Sequence, residues 1–561
     1  LHFLYQLIKM TATSVLSRAT KRLLTHRSAL NIYSKYQSLW TSDKIVKSPF
    51  EDVDIPNITI PDQVWKNLDK WADKPALVCG ITNRTYTYQQ AYKYSHNFAA
   101  RLRSKLGIRD KDVVCIMMPN SPEYGLAVLG TLQAGAEVTT ANPIYTARDK
   151  QLLLSNPKVI IGVTETITVI KEALKLAKTD IPIICVKTVN QSISPGTISF
   201  EELALDNNVD HSVLKDVSKK PEDIAFLPYS SGTTGLPKGV ELHNRNILTN
   251  LISLDLDSTL GILPFFHIYG LVVVLLHKLS VGQKLVTLPK FQPNTFMNAM
   301  KEHKINLLVA APPIVLFCAS HKDVTKDHLG HLRVMTSGAA PLPIHDVHRV
   351  FEKCPGMNFI QMYGMTETSP VATSMIPGED NYSSSGYALS NTELKVIDSE
   401  MRSLGPNEVG ELLVRGPQVM KGYRNNLEAT KAAITEDGWY KSGDLAMIDM
   451  NGVVTIADRL KELIKVKGYQ VPPAELESLL KEHSSILDAA VIGIPDDKQG
   501  EAPKAFIVVK DGHKLHKDEV KKFVEERVAP YKRLKDVLFI DAIPKNPSGK
   551  ILRRVLKEKY C

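Results

Sequence analysis

From about residue 75 onward, unbroken apolar runs alternate with longer stretches of mixed character. "DVVCIMMP" (112–119), "KVIIGVT" (158–164), "IPIICV" (181–186) and "NLLVAAP" (306–312) show no polar alternation. Strands apolar on both faces must be covered on both, so these runs predict α/β layers with largely parallel sheets. Between about 386 and 456 the pattern changes. Asp437-Gly438 and Asn451-Gly452 are tight-turn pairs, the second flanked by "LAMID" and "VVTIA", which predicts hairpins of an antiparallel, barrel-like subdomain. After "ADRLKELI", strands are expected at "AAVIGIP" and "AFIVV", with a helix carrying Val520, Phe523 and Val524 on one side. The predicted organisation is a leader (1–48), a large α/β domain (49–458) and a small α+β C-terminal domain (459–561).

With 561 residues and 43% apolar content, the chain exceeds what one core supports. Its longest purely aliphatic run, Leu271 to Leu276, is far short of the roughly 20 residues that cross a bilayer, so no membrane span is expected. The six cysteines, Cys79, Cys115, Cys185, Cys318, Cys354 and Cys561, form no C-x-x-C pair. Neither a zinc site nor a disulfide framework is indicated, which fits a reducing compartment.

The formal charge of +9 is concentrated at one end. Residues 1–42 hold no Asp or Glu and six cations, Lys9, Arg18, Lys21, Arg22, Arg27 and Lys35, leaving an excess of three on the rest. Nucleic-acid binding is therefore not expected. In the same segment Ala12, Leu16, Ala19 and Leu23 share a helical face, opposite most of Arg18, Lys21 and Arg22. That amphipathicity predicts a mitochondrial presequence, with a disordered basic tail as the alternative. The chain begins with Leu1, which makes Met10 a candidate start.

The stretch "LPYSSGTTGLPKGV", Leu227 to Val240, gathers three glycines, several hydroxyls and one lysine. Unshielded backbone N–H groups, hydroxyl donors and a cation suit an anion, most often a phosphate. It is not a Walker A loop, because Pro237 precedes Lys238 and Gly239 follows it. Other segments add nucleotide-handling groups. "QMYGMTETSP" (Gln361 to Pro370) supplies Tyr363, able to stack on a base, and Glu367, a hard oxygen ligand suited to Mg²⁺. "WYKSGDLA" (Trp439 to Ala446) places Asp444 after a glycine turn, where a carboxylate can accept from a ribose diol. "ADRLKELIKVKGYQVPPAELE" and "NPSGKILRR" bring cations and glycines to the small domain.

Together with "TANPIYT" (Thr140 to Thr146), "LPFFHIYG" (Leu263 to Gly270) and "SGAAPL" (Ser337 to Leu342), these segments in this order closely resemble the adenylate-forming superfamily of acyl-CoA synthetases, plant 4-coumarate:CoA ligases and beetle luciferases. The resemblance runs from about residue 50 to 555. It implies a large domain of two α/β sheets and a distorted barrel under a mobile C-terminal domain, using ATP, Mg²⁺ and coenzyme A.

By the same resemblance, Ser230, Ser231, Gly232, Thr233, Thr234, Gly235 and Lys238 follow the β,γ-phosphates. Gly338, Ala339, Ala340, Gln361, Tyr363, Gly364, Asp444 and Arg459 belong to the nucleotide site. Thr366, Glu367 and Lys550 are implied at the reacting phosphate, with Glu367 on the metal. A lone histidine in an apolar run is more often a core residue, yet the resemblance assigns His267 to substrate positioning and Tyr269, Gly338 and Val371 to the acyl pocket. Lys461 occupies the hinge, and rotation about it exchanges Lys550 for the face bearing Lys465, Gly468 and Gln470.

The chain departs from the pattern at "YSSSGYALSNTELKVID", where relatives carry a Gly-Ser-x-Gly turn and a proline-rich pair, although Gly386 and Glu393 survive. Altered surface contacts and retained catalysis are expected there. The acid is expected to be a medium- or long-chain fatty acid, given the presequence and an ending, Tyr560-Cys561, that is not Ser-Lys-Leu. An aryl acid such as a cinnamate is the alternative. Two rivals carry less: a luciferase-like monooxygenase, for which Asn250 and the Phe266-His267-Ile268-Tyr269 run are unsuited, and a catalytically silent scaffold binding ATP or acyl chains. Oligomeric state is not readable from the sequence.

Overall fold

The computed structural model describes residues 39–147, 151–188, 191–230, 237–251, 258–340, 342, 344–460, 462–466, 469–496, 500–546 and 549–560. Each apolar run becomes a fully buried strand: Val113–Met117, Val159–Val163, Ile183–Val186 and Leu307–Ala310. The first three are parallel neighbours in a nine-stranded sheet that continues through Glu137–Thr140 and Ile224–Leu227 to the hairpin Tyr229–Ser230 and Lys238–His243. The fourth lies in a second nine-stranded sheet, whose parallel centre includes Pro75–Cys79, Lys284–Thr287, Ser258–Gly261, Val334–Ser337 and Asn358–Gly364.

Helix Pro122–Gln133 shows why the two sheets share one core. It is buried from Pro122 to Leu132 and touches strands of both sheets. Ser121 caps it by accepting from the Tyr124 N–H, and its only charge, Glu123, is held by Arg84 at 2.6 Å and the Tyr86 hydroxyl at 2.8 Å. Each large apolar side chain buried this way contributes about 1.5–3 kcal/mol.

The expected barrel-like unit is an open antiparallel sheet of five strands, Val46–Lys47, Glu393–Ile397, Val409–Arg415, Tyr440–Ile448 and Val454–Arg459. Asn451-Gly452 makes the expected hairpin, with Ile448 opposite Val454 and Gly452 at φ +83°. One boundary changes. Residues 39–48, expected as the end of a leader, belong to this sheet: Val46 is fully buried opposite Leu394, and the Trp40 indole donates to the Asp449 carbonyl at 2.9 Å. The rest of the presequence expectation falls on residues 1–38, outside the described residues.

The C-terminal domain is a five-stranded sheet, with Ile486–Asp496 and Gly500–Val509 as its long antiparallel pair. Helices Pro473–Lys481 and Lys517–Glu525 pack on it, the second through Val520 and Val524 as expected. The last strand of the large domain ends at Arg459 and the first strand of the small one begins at Ile464. Among the described residues no helix is long and apolar enough to cross a membrane.

Candidate active site

The antiparallel register between Tyr440–Ile448 and Val454–Arg459 sets Asp444 directly opposite Arg459. The Arg459 Nε stands 3.2 Å from Asp444 Oδ1, and the Tyr363 hydroxyl donates to Oδ2 at 2.7 Å. Asp444 is 5% exposed. Burial pushes its carboxyl above the usual carboxylate range, while Arg459 and then Tyr363 pull it back. Each carboxylate oxygen has a second lone pair to offer, so a ribose diol can still be accepted here.

Lys550 reaches the same place from the small domain. Its loop is tied by the Asn546 side chain, which accepts from the Lys550 N–H at 2.8 Å, and by the Asn546 N–H, which donates to the Lys550 carbonyl at 2.9 Å. Gly549, at φ +84°, lies so close to the large domain that a Cβ would sit 2.8 Å from Pro313 Cδ. Burial, helped by Arg459, lowers the Lys550 ammonium to about 8 against the pull of Glu462 and Asp444. In this arrangement Lys550, and not Lys465, faces Asp444.

Beside this group, the Thr366–Thr368 turn that follows strand Asn358–Gly364 carries Glu367, 7% exposed. The Tyr423 hydroxyl donates to Glu367 Oε1 at 2.9 Å, and the Lys238 Nζ lies 4.8 Å from the Tyr423 ring centroid. Lys238 pairs with Ser230 across a two-strand ladder, so the two residues bracket the glycine-rich loop. The buried Ser230 hydroxyl has no partner among the described residues. Lys238, expected at the phosphates, and Glu367, expected on the metal, are therefore linked through one tyrosine. Among the described residues no cluster of three His, Cys, Asp or Glu side chains could hold a metal. A single carboxylate with its second oxygen unpaired among the described residues suits Mg²⁺, which takes most of its ligands from phosphates and water.

His267 and Tyr269, expected on the acyl side, are joined through the backbone. The Tyr269 N–H donates to His267 Nδ1 at 3.3 Å, which leaves the imidazole proton on Nε2. Burial lowers His267 to about 4, so the ring is neutral. A π-helical stretch, Tyr269–Leu276, follows at once. The Tyr269 hydroxyl is buried, with the Thr336 side chain as its neighbour. Gly338 lets it approach: a Cβ there would sit 3.3 Å from that oxygen and 3.0 Å from the Met362 carbonyl. Val371, 7% exposed, pairs with Gly364 and donates its N–H to Asn250 Oδ1 at 3.2 Å.

A family model described as "AMP-binding enzyme" matches residues 64–424, and its companion, "AMP-binding enzyme C-terminal domain", matches residues 475–550. The chain belongs to the AMP-binding enzyme family. This AMP-binding enzyme is 39% identical over 543 residues to "4-coumarate--CoA ligase 1" of Arabidopsis thaliana, covering 93% of this chain and 96% of the relative. It is 39% identical to "4-coumarate--CoA ligase 3" of Oryza sativa subsp. japonica, over 92% and 95% of the two chains. Among solved structures, ATP-bound MatB from Rhodopseudomonas palustris superposes with a TM-score of 0.80 at 27% identity, covering 90% of this chain and 99% of MatB. The anthranilate CoA ligase AuaEII with anthranoyl-AMP gives 0.80 at 26%, over 90% and 98%. ATP, Mg²⁺ and coenzyme A are the small molecules such ligases use.

In this AMP-binding enzyme the expected residues divide cleanly. Lys550, Arg459, Asp444, Tyr363 and Glu367 converge, with Lys238 beside them through Tyr423. Ala339 takes a left-handed φ of +77° beside Gly338 and the half-buried Ala340. Gln361 is engaged, since its amide donates to the Tyr382 carbonyl. Gly364 packs against the Pro370 carbonyl where any Cβ would collide. Lys465 stays outside: its side chain is exposed and its N–H donates to Glu501 at 2.8 Å. Gln470 pairs with Lys465 through the backbone. Ser231 to Gly235, Lys461 and Gly468 lie outside the described residues.

Sequence reasoning missed Tyr423 and gave Asn250 no positive role. "KGYRN" around Tyr423 carries no motif, and its partner Glu367 is 56 residues away. Only the pairing of Gly422–Tyr423 with Val240 and Glu241 brings it in.

Proposed function

We propose that this acid–thiol ligase acts on an aryl acid of the hydroxycinnamate type, forming an aryl-adenylate and pyrophosphate from ATP and then passing the acyl group to coenzyme A. The fatty acid favoured by the sequence reading gives way to its aryl alternative. The carrying observation is the polar wall beside Gly338, where the Tyr269 and Thr336 hydroxyls lie together, buried and with no further partner among the described residues. An alkyl chain offers this pair no further hydrogen bond, whereas a ring hydroxyl can add one, worth about 0.5–1.5 kcal/mol. Similarity to 4-coumarate ligases along nearly the whole chain supports the same reading.

In the first half-reaction a carboxylate oxygen attacks the α-phosphorus of ATP and pyrophosphate leaves. Asp444 accepts from the ribose hydroxyls, and the neutral His267 offers its Nε2–H to the acid. The Lys550 ammonium stands over this site to balance charge that grows on phosphate oxygens, a contribution of about 3–4 kcal/mol for one preorganised donor. When bound, Mg²⁺ at Glu367 supplies further charge neutralisation. In the second half-reaction the thiol sulfur attacks the acyl carbon, AMP leaves and the thiol proton is released. That step follows rotation of the small domain, which withdraws Lys550 and brings the exposed face of Lys465 toward the pocket.

A screen of CoA-dependent AMP release over hydroxycinnamates, benzoates and straight-chain acids of graded length tests this. Hydroxycinnamates are expected to lead in kcat/KM by about tenfold, the scale of one added hydrogen bond. A straight-chain acid in first place would overturn the aryl reading and leave the ligase class intact.

A further inference from the structure

Helix Pro473–Lys481 opens on Pro472 and Pro473, and no side chain at its own N-cap accepts from its first N–H groups. The missing acceptor comes from the other domain. Asp458, on the last strand of the large domain, takes the Ala474 N–H on Oδ2 at 2.8 Å and the Arg459 N–H on Oδ1 at 2.7 Å. It is 7% exposed. Asp458 precedes Lys461 in the chain and Ala474 follows it, so this bond spans the domain boundary.

The same helix then carries the geometry onward. Glu477, one turn beyond Ala474 and 6% exposed, holds the Arg553 guanidinium at 2.7 Å and accepts from the Val491 N–H at 2.9 Å. Arg553 also meets Glu462 at 2.9 Å and stands three residues after Lys550. A continuous line of contacts therefore runs from Asp458 through the helix to Arg553 and the Lys550 loop. It closes on Asp444, whose strand is the hydrogen-bonded neighbour of Asp458's own.

We propose that Asp458 is a positioning residue for the first half-reaction: by capping a helix of the small domain, it holds the arrangement that presents Lys550, and the cap is released when that domain turns. This inference rests on the two-step reading above. N-cap acceptors shift an equilibrium by about two- to thirtyfold. Loss of the cap therefore weakens the arrangement used for adenylate formation. Thiol attack belongs to the other arrangement and is spared.

The test compares two single-turnover rates in the full-length enzyme: acyl-adenylate formation from ATP and acid, and thioester formation from supplied acyl-adenylate and CoA. Asp458→Ala is expected to slow the first about tenfold and leave the second unchanged or faster. Asp458→Asn keeps an acceptor but loses the charge, and is expected to slow the first about threefold without touching the second. Being isosteric, it carries the test if the alanine variant does not fold. Equal slowing of both steps, or wild-type rates for both steps in the variants, would overturn the inference. Adenylate formation by the unaltered enzyme in the same assay tests the proposed function separately.

Discussion

The Tyr363 hydroxyl donates to Asp444 at 2.7 Å, tying the ring expected at the adenine to the carboxylate expected at the ribose. With Arg459 on its other oxygen, this buried carboxylate is fixed before any nucleotide arrives. Tyr363→Phe keeps the ring and removes the bond. A hydrogen bond to a charged group is worth about 1.5–3 kcal/mol, so KM for ATP should rise about tenfold or more in steady-state assays, with a smaller change in kcat.

Lys550 gives the pH dependence a sign. Its ammonium titrates near 8 because burial and Arg459 disfavour the charge, and only the charged form offsets phosphate oxygens. The kcat/KM for adenylate formation should therefore fall as pH rises through about 8. Lys550→Arg, slower overall, should lack that fall because guanidinium stays protonated. His267, lowered to about 4, adds no limb between pH 5 and 7.

Tyr423→Phe removes the donor that orients Glu367. Partners behind a metal ligand typically matter 10- to 100-fold in metal affinity. The Mg²⁺ concentration for half-maximal rate should rise about tenfold or more, with thermal stability little changed. An unchanged Mg²⁺ titration would remove Tyr423 from the account.

Gly549→Ala should separate the two half-reactions. Its backbone has φ +84°, and a Cβ would press on Pro313. Strain of this kind costs about 1–3 kcal/mol, directed at the docking of the Lys550 loop. Adenylate formation should slow about tenfold while thioester formation from supplied adenylate holds its rate.

Much of this was legible in the sequence for a simple reason: covered strands must be apolar throughout. All four apolar runs quoted from it are buried strands with parallel partners. Asn451-Gly452 likewise turns where its φ requirement says it must. The leader boundary failed because Val46–Lys47 is only two residues long and shows no period. Tyr423 and the Asp458 cap were hidden because each acts through a partner on another strand or across the domain boundary. Asp444, Tyr363, Glu367 and Lys550, which the structure brings together, could be nominated from the sequence because each sits in a local motif.

The most direct measurement is single-turnover formation of an aryl-adenylate from ATP and a hydroxycinnamate without coenzyme A, in the unaltered enzyme and in Lys550→Ala. The expected result is an aryl-adenylate with stoichiometric pyrophosphate, formed about 100-fold or more slowly by the variant. No adenylate from any acid tried, or equal rates in the two proteins, would contradict it.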